Sequence, residues 1–355
     1  MQFCLSHPTE GYYSKGDVFG QKGDFITSPE ISQVFGELVA VWLLTRYLDA
    51  GSPERVRLVE LGPGRGTLMD DVLRTLLRFP TIQHSIRSIQ LVENSEKMRV
   101  LQHDQLSKYR ENGIELMWTD KIDEMQPSQD YTMLVAHEYF DVMPINLFEV
   151  GERYTLPTQS SPSGLRLALA RDATPLSTAL PTTSRRFANL AVGTRIEVAQ
   201  ESWKVMRKVG ELLSSNGGGG VGIVVDYGGD RTFGSSFRAF RDHKIVDVFE
   251  EPGSADLTAN VDFAYLREAI SDLATPLGPI PQSRFLLSLG LQPRLDKLVS
   301  SASSEERRID IEKGAQRLVD PLGMGAQYQI MGIVSTTKEE VYPFPRDIAS
   351  APPLS

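Results

Sequence analysis

Apolar positions along the chain change their period several times, and each change marks an element. From Ser28 onward, Ile31, Val34, Phe35, Leu38 and Trp42 recur at three- and four-residue steps, which predicts one helix with a single buried face. Ser28 stands where a cap is wanted, Pro29 suits the first helical position and Glu30 the positive helix end. Gly51, Ser52 and Pro53 end the helix. Residues 1–27 carry glycines at 11, 16, 20 and 23 and read as loop. Short apolar runs then alternate with helical stripes. Strands are predicted over Val56–Leu61, Ile86–Val92, Ile114–Trp118 and Tyr131–Ala136, with helices over Thr67–Phe79 and Ser95–Arg110. Strands alternating with helices predict an α/β fold, a mostly parallel sheet covered on both faces.

Between about 150 and 190 the pattern lapses into Ser/Pro/Gly-rich chain, with Pro175 and Pro181 marking irregular structure. A helix over Glu201–Ser214 follows. The Gly217–Gly220 run reads as a flexible connection, because no Lys-Ser/Thr pair follows it as in a phosphate loop. Val221–Val225 is a buried strand ending in Asp226-Tyr227-Gly228, and Tyr328–Val334 is the last strand. The chain therefore divides into a loop-rich segment (1–27), a first half of the core (28–149), an insertion (150–200) and a second half of the core (201–355).

Composition narrows the function. The 355 residues are 41% hydrophobic and 23% charged, ordinary for a globular chain with a large core. A formal charge of −9 repels a polyphosphate backbone and argues against nucleic acid as substrate; basic proteins or peptides match it better. One cysteine, Cys4, allows no intrachain disulfide, and with five scattered histidines it argues against a metal site. No apolar run approaches the ~20 residues of a membrane-spanning helix, and no targeting peptide is visible.

The densest chemical signal is Glu60-Leu61-Gly62-Pro63-Gly64-Arg65-Gly66, set between a strand and a helix. Glycines let the backbone approach a ligand, and the helix start offers unpaired N–H groups to a carboxylate. A dinucleotide fingerprint would need glycine at 67, where Thr67 stands. Glu60 suits an amino group. Glu93, at the end of the next strand, suits two ribose hydroxyls, and Asp120, after the third, suits an adenine amino group. Together these predict a site for S-adenosylmethionine, formed by Glu60, Gly62, Pro63, Gly64, Arg65, Gly66, Glu93 and Asp120.

At these residues the chain resembles class I S-adenosylmethionine-dependent methyltransferases. Gly11-Tyr12-Tyr13-Ser14, Gly23-Asp24-Phe25-Ile26-Thr27-Ser28-Pro29-Glu30, His137–Pro144, Asp226-Tyr227-Gly228, Ala255–Phe263 and Gly278-Pro279-Ile280 further resemble the MidA-like family. Gly229 and Ala326 depart from it, standing where a histidine and an acid are common. The resemblance implies a Rossmann-like fold whose last strand is antiparallel. It also implies protein arginine methylation, giving symmetric ω-dimethylarginine on a subunit of respiratory complex I during assembly, in the mitochondrial matrix.

Arginine methylation requires one guanidinium nitrogen to become nucleophilic. Carboxylates that pair with the other nitrogens localise positive charge away from it. Glu138 and Asp141, after the fourth strand, fit that need, and Asp24 is a third candidate. Tyr139 and Phe140 read as core, His137 as a hydrogen-bonded structural group, and Asp226 as either a rim residue or a strand-end cap. Two other readings stand: a methyltransferase for a small molecule or another side chain, and an assembly chaperone with a retained pocket.

Overall fold

The structure is a computed structural model. It describes residues 1–7, 10–12, 27–150, 167, 170, 172–188, 190–214, 216–242, 244–335 and 340–345. Asp24 lies outside the described residues.

Seven strands form the continuous path of the main sheet: β1 (Val56–Leu61), β2 (Ile86–Val92), β3 (Glu115–Thr119), β4 (Tyr131–His137), β5 (Gly220–Gly229), β6 (Thr275–Pro281) and β7 (Tyr328–Val334). Their order is β6-β7-β5-β4-β1-β2-β3, and the two-residue strand Val261–Asp262 pairs in parallel with the end of β5. β3, β2, β1, β4 and β5 are mutually parallel, whereas β7 runs antiparallel to both β5 and β6. This is the Rossmann-like fold with an antiparallel last strand that the family resemblance implies.

Alternation along β1 explains the layering. Val56 and Leu58 belong to one apolar cluster with Phe35, Trp42 and Leu73, while Val59 and Leu61 belong to another with Met206 and Phe263. Helices Gln33–Asp49 and Thr67–Leu76 thus cover one face, and Gln200–Leu213 and Phe263–Ile270 the other. Every residue of β1 and β4 is buried, as a parallel strand between two helical layers requires.

The helix predicted from Ser28 is two helices, Ser28–Ile31 and Gln33–Asp49. Ser32 breaks them: its backbone is extended and its Oγ accepts the N–H of Val34, capping the longer helix. Ser28 is not the cap. It is fully buried, and its hydroxyl donates to Gln282 Oε1. Pro175 does not mark irregular chain either. It opens the helix Pro175–Thr183, in which Thr174 and Ser177 form a capping box and Pro181 is included. The Gly217–Gly220 run is a closely packed turn. Gly218 N–H donates to Ser128 O, and a Cβ on Gly218 would lie 2.2 Å from Gln129 O.

Candidate active site

The carboxyl ends of β1, β2, β4 and β5 open onto one cavity of about 410 Å³. Open parallel sheets bind ligands at this end. The loop after β1 forms part of its wall. Gly62, Gly64 and Gly66 have φ of 64°, 52° and 84°, the left-handed region that favours glycine. Each also answers a local demand. A Cβ on Gly62 would lie 2.8 Å from the Tyr139 ring, whereas one on Gly64 would meet no protein atom within 4 Å and would project into open space. Gly66 is the N-cap of Thr67–Leu76 and brings no side-chain acceptor to the first helical turn. The backbone N–H of Met69 already bonds the Glu60 carboxylate, whereas those of Thr67 and Leu68, ahead of the first intrahelical acceptor, can serve an anionic ligand.

Glu60, Glu93 and Asp120 are among the acids on this half of the cavity. Glu60, on β1, is 2% exposed; its Oε2 has no hydrogen-bond partner, and burial pushes its carboxyl up to about 8. Glu93 follows β2. Its Oε1 accepts Ser95 N–H at 2.8 Å and its Oε2 accepts Gln102 Nε2 at 3.1 Å; burial nevertheless raises it above the usual carboxylate range. Asp120 follows β3, is largely exposed, and pairs with Arg99, which also donates to Glu93 O. Glu60, Gly62, Pro63, Gly64, Arg65, Glu93 and Asp120 all line the cavity. Gly66 does not: it packs beneath the loop against Gln102 and Leu106.

The other half is built on the turn after β4. Glu138 has φ of 49°, uncommon for a residue with a side chain, and its N–H donates to Val225 O. Its Oε1 accepts Tyr328 Oη at 3.0 Å. Burial, with the neighbouring Asp141, pushes Glu138 up to about 8. Asp141 is 3% exposed. Its Oδ2 accepts Tyr227 Oη and Thr258 Oγ1, while Oδ1 has no partner. Burial raises Asp141 too, against the pull of those hydrogen bonds and of Arg238. Glu138 and Asp141 thus face the same cavity as the glycine loop, with Asp256 on the same wall.

Asp226 is neither rim nor simple cap. It is fully buried, its Oδ2 accepts the N–H groups of Phe140 and Asp141, and its Oδ1 accepts Tyr227 N–H. It fixes the turn that carries Glu138 and Asp141. His137 is buried against the edge of Phe35 and stacked on Tyr328. Burial pulls it down to about 3, so it is neutral at physiological pH, and its Nε2 has no hydrogen-bond partner. The hydrogen bond expected of a structural histidine is therefore absent at that nitrogen. Phe140 is core, as predicted; Tyr139 instead lies on the cavity wall against Gly62.

The residues that hold these acids escaped sequence reading. Tyr328 opens a strand and carries no local signal. Tyr227 sits beside Asp226, and nothing local marks its hydroxyl as a donor to Asp141. Gln102 had a readable sign: it stands between Met98 and Leu106 on the buried stripe of helix Glu96–Leu106, where a polar residue needs partners.

The donor set fits S-adenosylmethionine. Glu60 can offer its one unpartnered oxygen to an amino group, the helix start its leading N–H groups to a carboxylate, and Glu93 its oxygens to ribose hydroxyls, while Gly64 on the cavity wall carries no side chain. The sequence profile of a family described as "Putative S-adenosyl-L-methionine-dependent methyltransferase" matches residues 38–280. A Danio rerio protein named protein arginine methyltransferase NDUFAF7, mitochondrial, is 36% identical over 95% of this chain and 83% of its own length. The Homo sapiens protein of that name is 33% identical over 94% and 78%, and the Drosophila melanogaster homolog 35% over 94% and 80%. A Burkholderia thailandensis structure bound to S-adenosyl-homocysteine shares the fold at a TM-score of 0.74 and 23% identity, covering 94% of this chain and 86% of that one. With a profile matched over most of its length and relatives alike from end to end, this chain belongs to that family of S-adenosylmethionine-dependent methyltransferases.

Proposed function

We propose that this protein methylates arginine in a protein substrate. The observation that carries the reading is the placement of two acids, the buried Asp141 and the mostly buried Glu138, on the cavity that also contains the glycine loop. A chaperone with a vestigial pocket has no need of such acids there, and their turning away from the cavity would have favoured that reading.

In this proposal Glu60 holds the amino group of the cofactor, the start of Thr67–Leu76 its carboxylate, Glu93 its ribose and Asp120 the adenine edge. When bound, S-adenosylmethionine supplies an electrophilic methyl group on a sulfonium. The chain's own contribution is alignment and charge. Glu138 and Asp141 hold the guanidinium nitrogens that do not react, leaving the remaining nitrogen directed at the methyl donor. Such alignment supplies on the order of 7–11 kcal/mol of a displacement barrier. The acids sit in a turn braced by the buried Asp226, so they need little reorganisation as the reaction proceeds. An arriving guanidinium favours the ionised form of Glu138, so substrate binding releases a proton near neutral pH.

The relatives' names support an arginine acceptor and a mitochondrial setting. The finer proposal is symmetric ω-dimethylarginine on a complex I subunit in the matrix. No described helix is long and apolar enough to cross a membrane. The test is transfer of labelled methyl from S-adenosylmethionine to isolated complex I subunits, followed by amino-acid analysis. Label in symmetric dimethylarginine supports the whole proposal. Label on lysine, glutamine or a small molecule refutes the arginine acceptor, and an asymmetric product refutes the finer one.

A further inference from the structure

We infer that Gln102 is a positioning residue for the cofactor, setting the distance between the glycine loop and the ribose acid Glu93. The inference rests on the cofactor reading of the cavity. Gln102 is fully buried, and its amide uses both ends. Nε2 donates to Gly64 O at 2.7 Å and to Glu93 Oε2 at 3.1 Å, while Oε1 accepts Trp118 Nε1 at 2.8 Å. The indole can only donate, so the amide oxygen must face Trp118, and both amide hydrogens are left for the two acceptors. A flipped amide would set oxygen against a carbonyl and a carboxylate, and N–H against N–H. One side chain thus joins β3, through Trp118, to the acid after β2 and to the loop after β1.

The backbone agrees with this role. A Cβ on Gly66 would lie 3.6 Å from Gln102 Cα, so the helix bearing Gln102 rests directly on the loop. Ser95 N–H holds one Glu93 oxygen and Gln102 the other, which fixes the plane of the carboxylate. Gln102 is not on the cavity wall; it acts through Gly64 and Glu93, which are. A buried amide with all three hydrogen bonds made is costly to disturb, because the groups it leaves behind are unsatisfied.

The test is Gln102→Glu, with S-adenosylmethionine titrated calorimetrically into wild type and variant from pH 8 to pH 5.5. The substitution keeps the shape and the acceptor for Trp118. It places a carboxylate oxygen where an N–H donor faced Gly64 O and Glu93. At pH 8 binding weakens roughly 10- to 100-fold relative to wild type, the loss of a charge-assisted hydrogen bond. As pH falls, the introduced carboxyl takes a proton and regains a donor, so the ratio to wild type shrinks. A merely structural defect would give a ratio that does not move with pH. Trp118→Phe removes the donor to Oε1, together with part of a ring that packs on the core, and weakens binding roughly 2- to 10-fold at every pH. Wild-type affinity in Gln102→Glu, or a pH-independent ratio, overturns the inference. Should that variant not fold, Gln102→Met keeps the volume, and wild-type affinity there overturns it equally. Failure of the wild type itself to bind would instead overturn the cofactor reading.

Discussion

Tyr227 and Tyr328 are direct register partners on β5 and β7, and each hydroxyl holds one of the two acids after β4: Tyr227 holds Asp141 and Tyr328 holds Glu138. Their rings meet edge to face with centroids 5.5 Å apart. The antiparallel strand therefore has a part in the site, because its first residue reaches the turn after β4. Tyr328→Phe keeps the ring and removes the donor. The Tyr328 hydrogen bond lowers Glu138 against the effect of burial, so its loss raises that carboxyl further. We expect methyl transfer to fall several-fold near neutral pH, with its rising limb displaced to higher pH and cofactor affinity unchanged. A profile that keeps its midpoint would separate Tyr328 from the chemistry.

The loop prediction uses the space above Gly64. A Cβ there meets no protein atom within 4 Å, so a side chain at 64 leaves the loop into open space. On the proposed cofactor assignment the branched side chain of Gly64→Val obstructs the ligand, and φ of 52° is strained for it. Titration with S-adenosylmethionine should show severe loss while circular dichroism stays native. On the same assignment, Glu93→Ala removes hydrogen bonds to the ribose and should cost roughly 1.5–3 kcal/mol of binding. Near-wild-type affinity in either variant would count against that residue's assignment.

Much of this was legible because hydrophobic period and strand-end chemistry are local. β1, β2 and β7 have the bounds their apolar runs predict, and Glu60, Glu93, Asp120, Glu138 and Asp141 meet on one cavity. What escaped depends on partners distant in sequence. Ser32 interrupts a continuous apolar stripe because its own hydroxyl caps the next helix. Gly218 looks flexible until Gln129 lies against it. Asp226 looks like a rim acid until the N–H groups of Phe140 and Asp141 converge on it. Tyr328 reaches Glu138 across 190 positions of chain. A local reading identifies the acids but not what holds them.

Stability should depend on pH through Glu60 and Glu138. Burial pushes both up to about 8 from an ordinary 4.5, so the folded chain binds more protons than the unfolded chain between those limits. Their contribution to stability is therefore fully present below pH 4.5 and is lost as pH rises through about 8. Glu60→Gln removes one ionisation, and should raise the melting temperature of the cofactor-free protein at pH 8 by a few degrees while changing little at pH 5. Thermal unfolding at the two pH values checks this. An equal shift at both would mean that the carboxyl is already ionised in the fold.

The acceptor grip gives the last prediction. Glu138→Gln preserves size and an oxygen for Tyr328, but removes the charge that would face the guanidinium. Because Glu60 and Glu93, rather than Glu138, are assigned to the cofactor, its affinity should stay within about twofold of wild type. The transfer rate should fall at least ~100-fold, the scale expected when a charged partner of a buried cation is lost. Asp141→Asn tests the second acid less cleanly. Asp141 also binds Tyr227 and Thr258, so part of its effect should appear as lost stability. Replacing the acceptor arginine by lysine should abolish product with the wild-type enzyme, because an ammonium lacks the planar fork that two carboxylates can hold. Parallel measurements of binding and single-turnover transfer separate these outcomes. If Glu138→Gln transfers methyl at the normal rate, the carboxylate grip is wrong, and nucleophile selection must come from elsewhere on the cavity wall, where Asp256 is the next acid to replace.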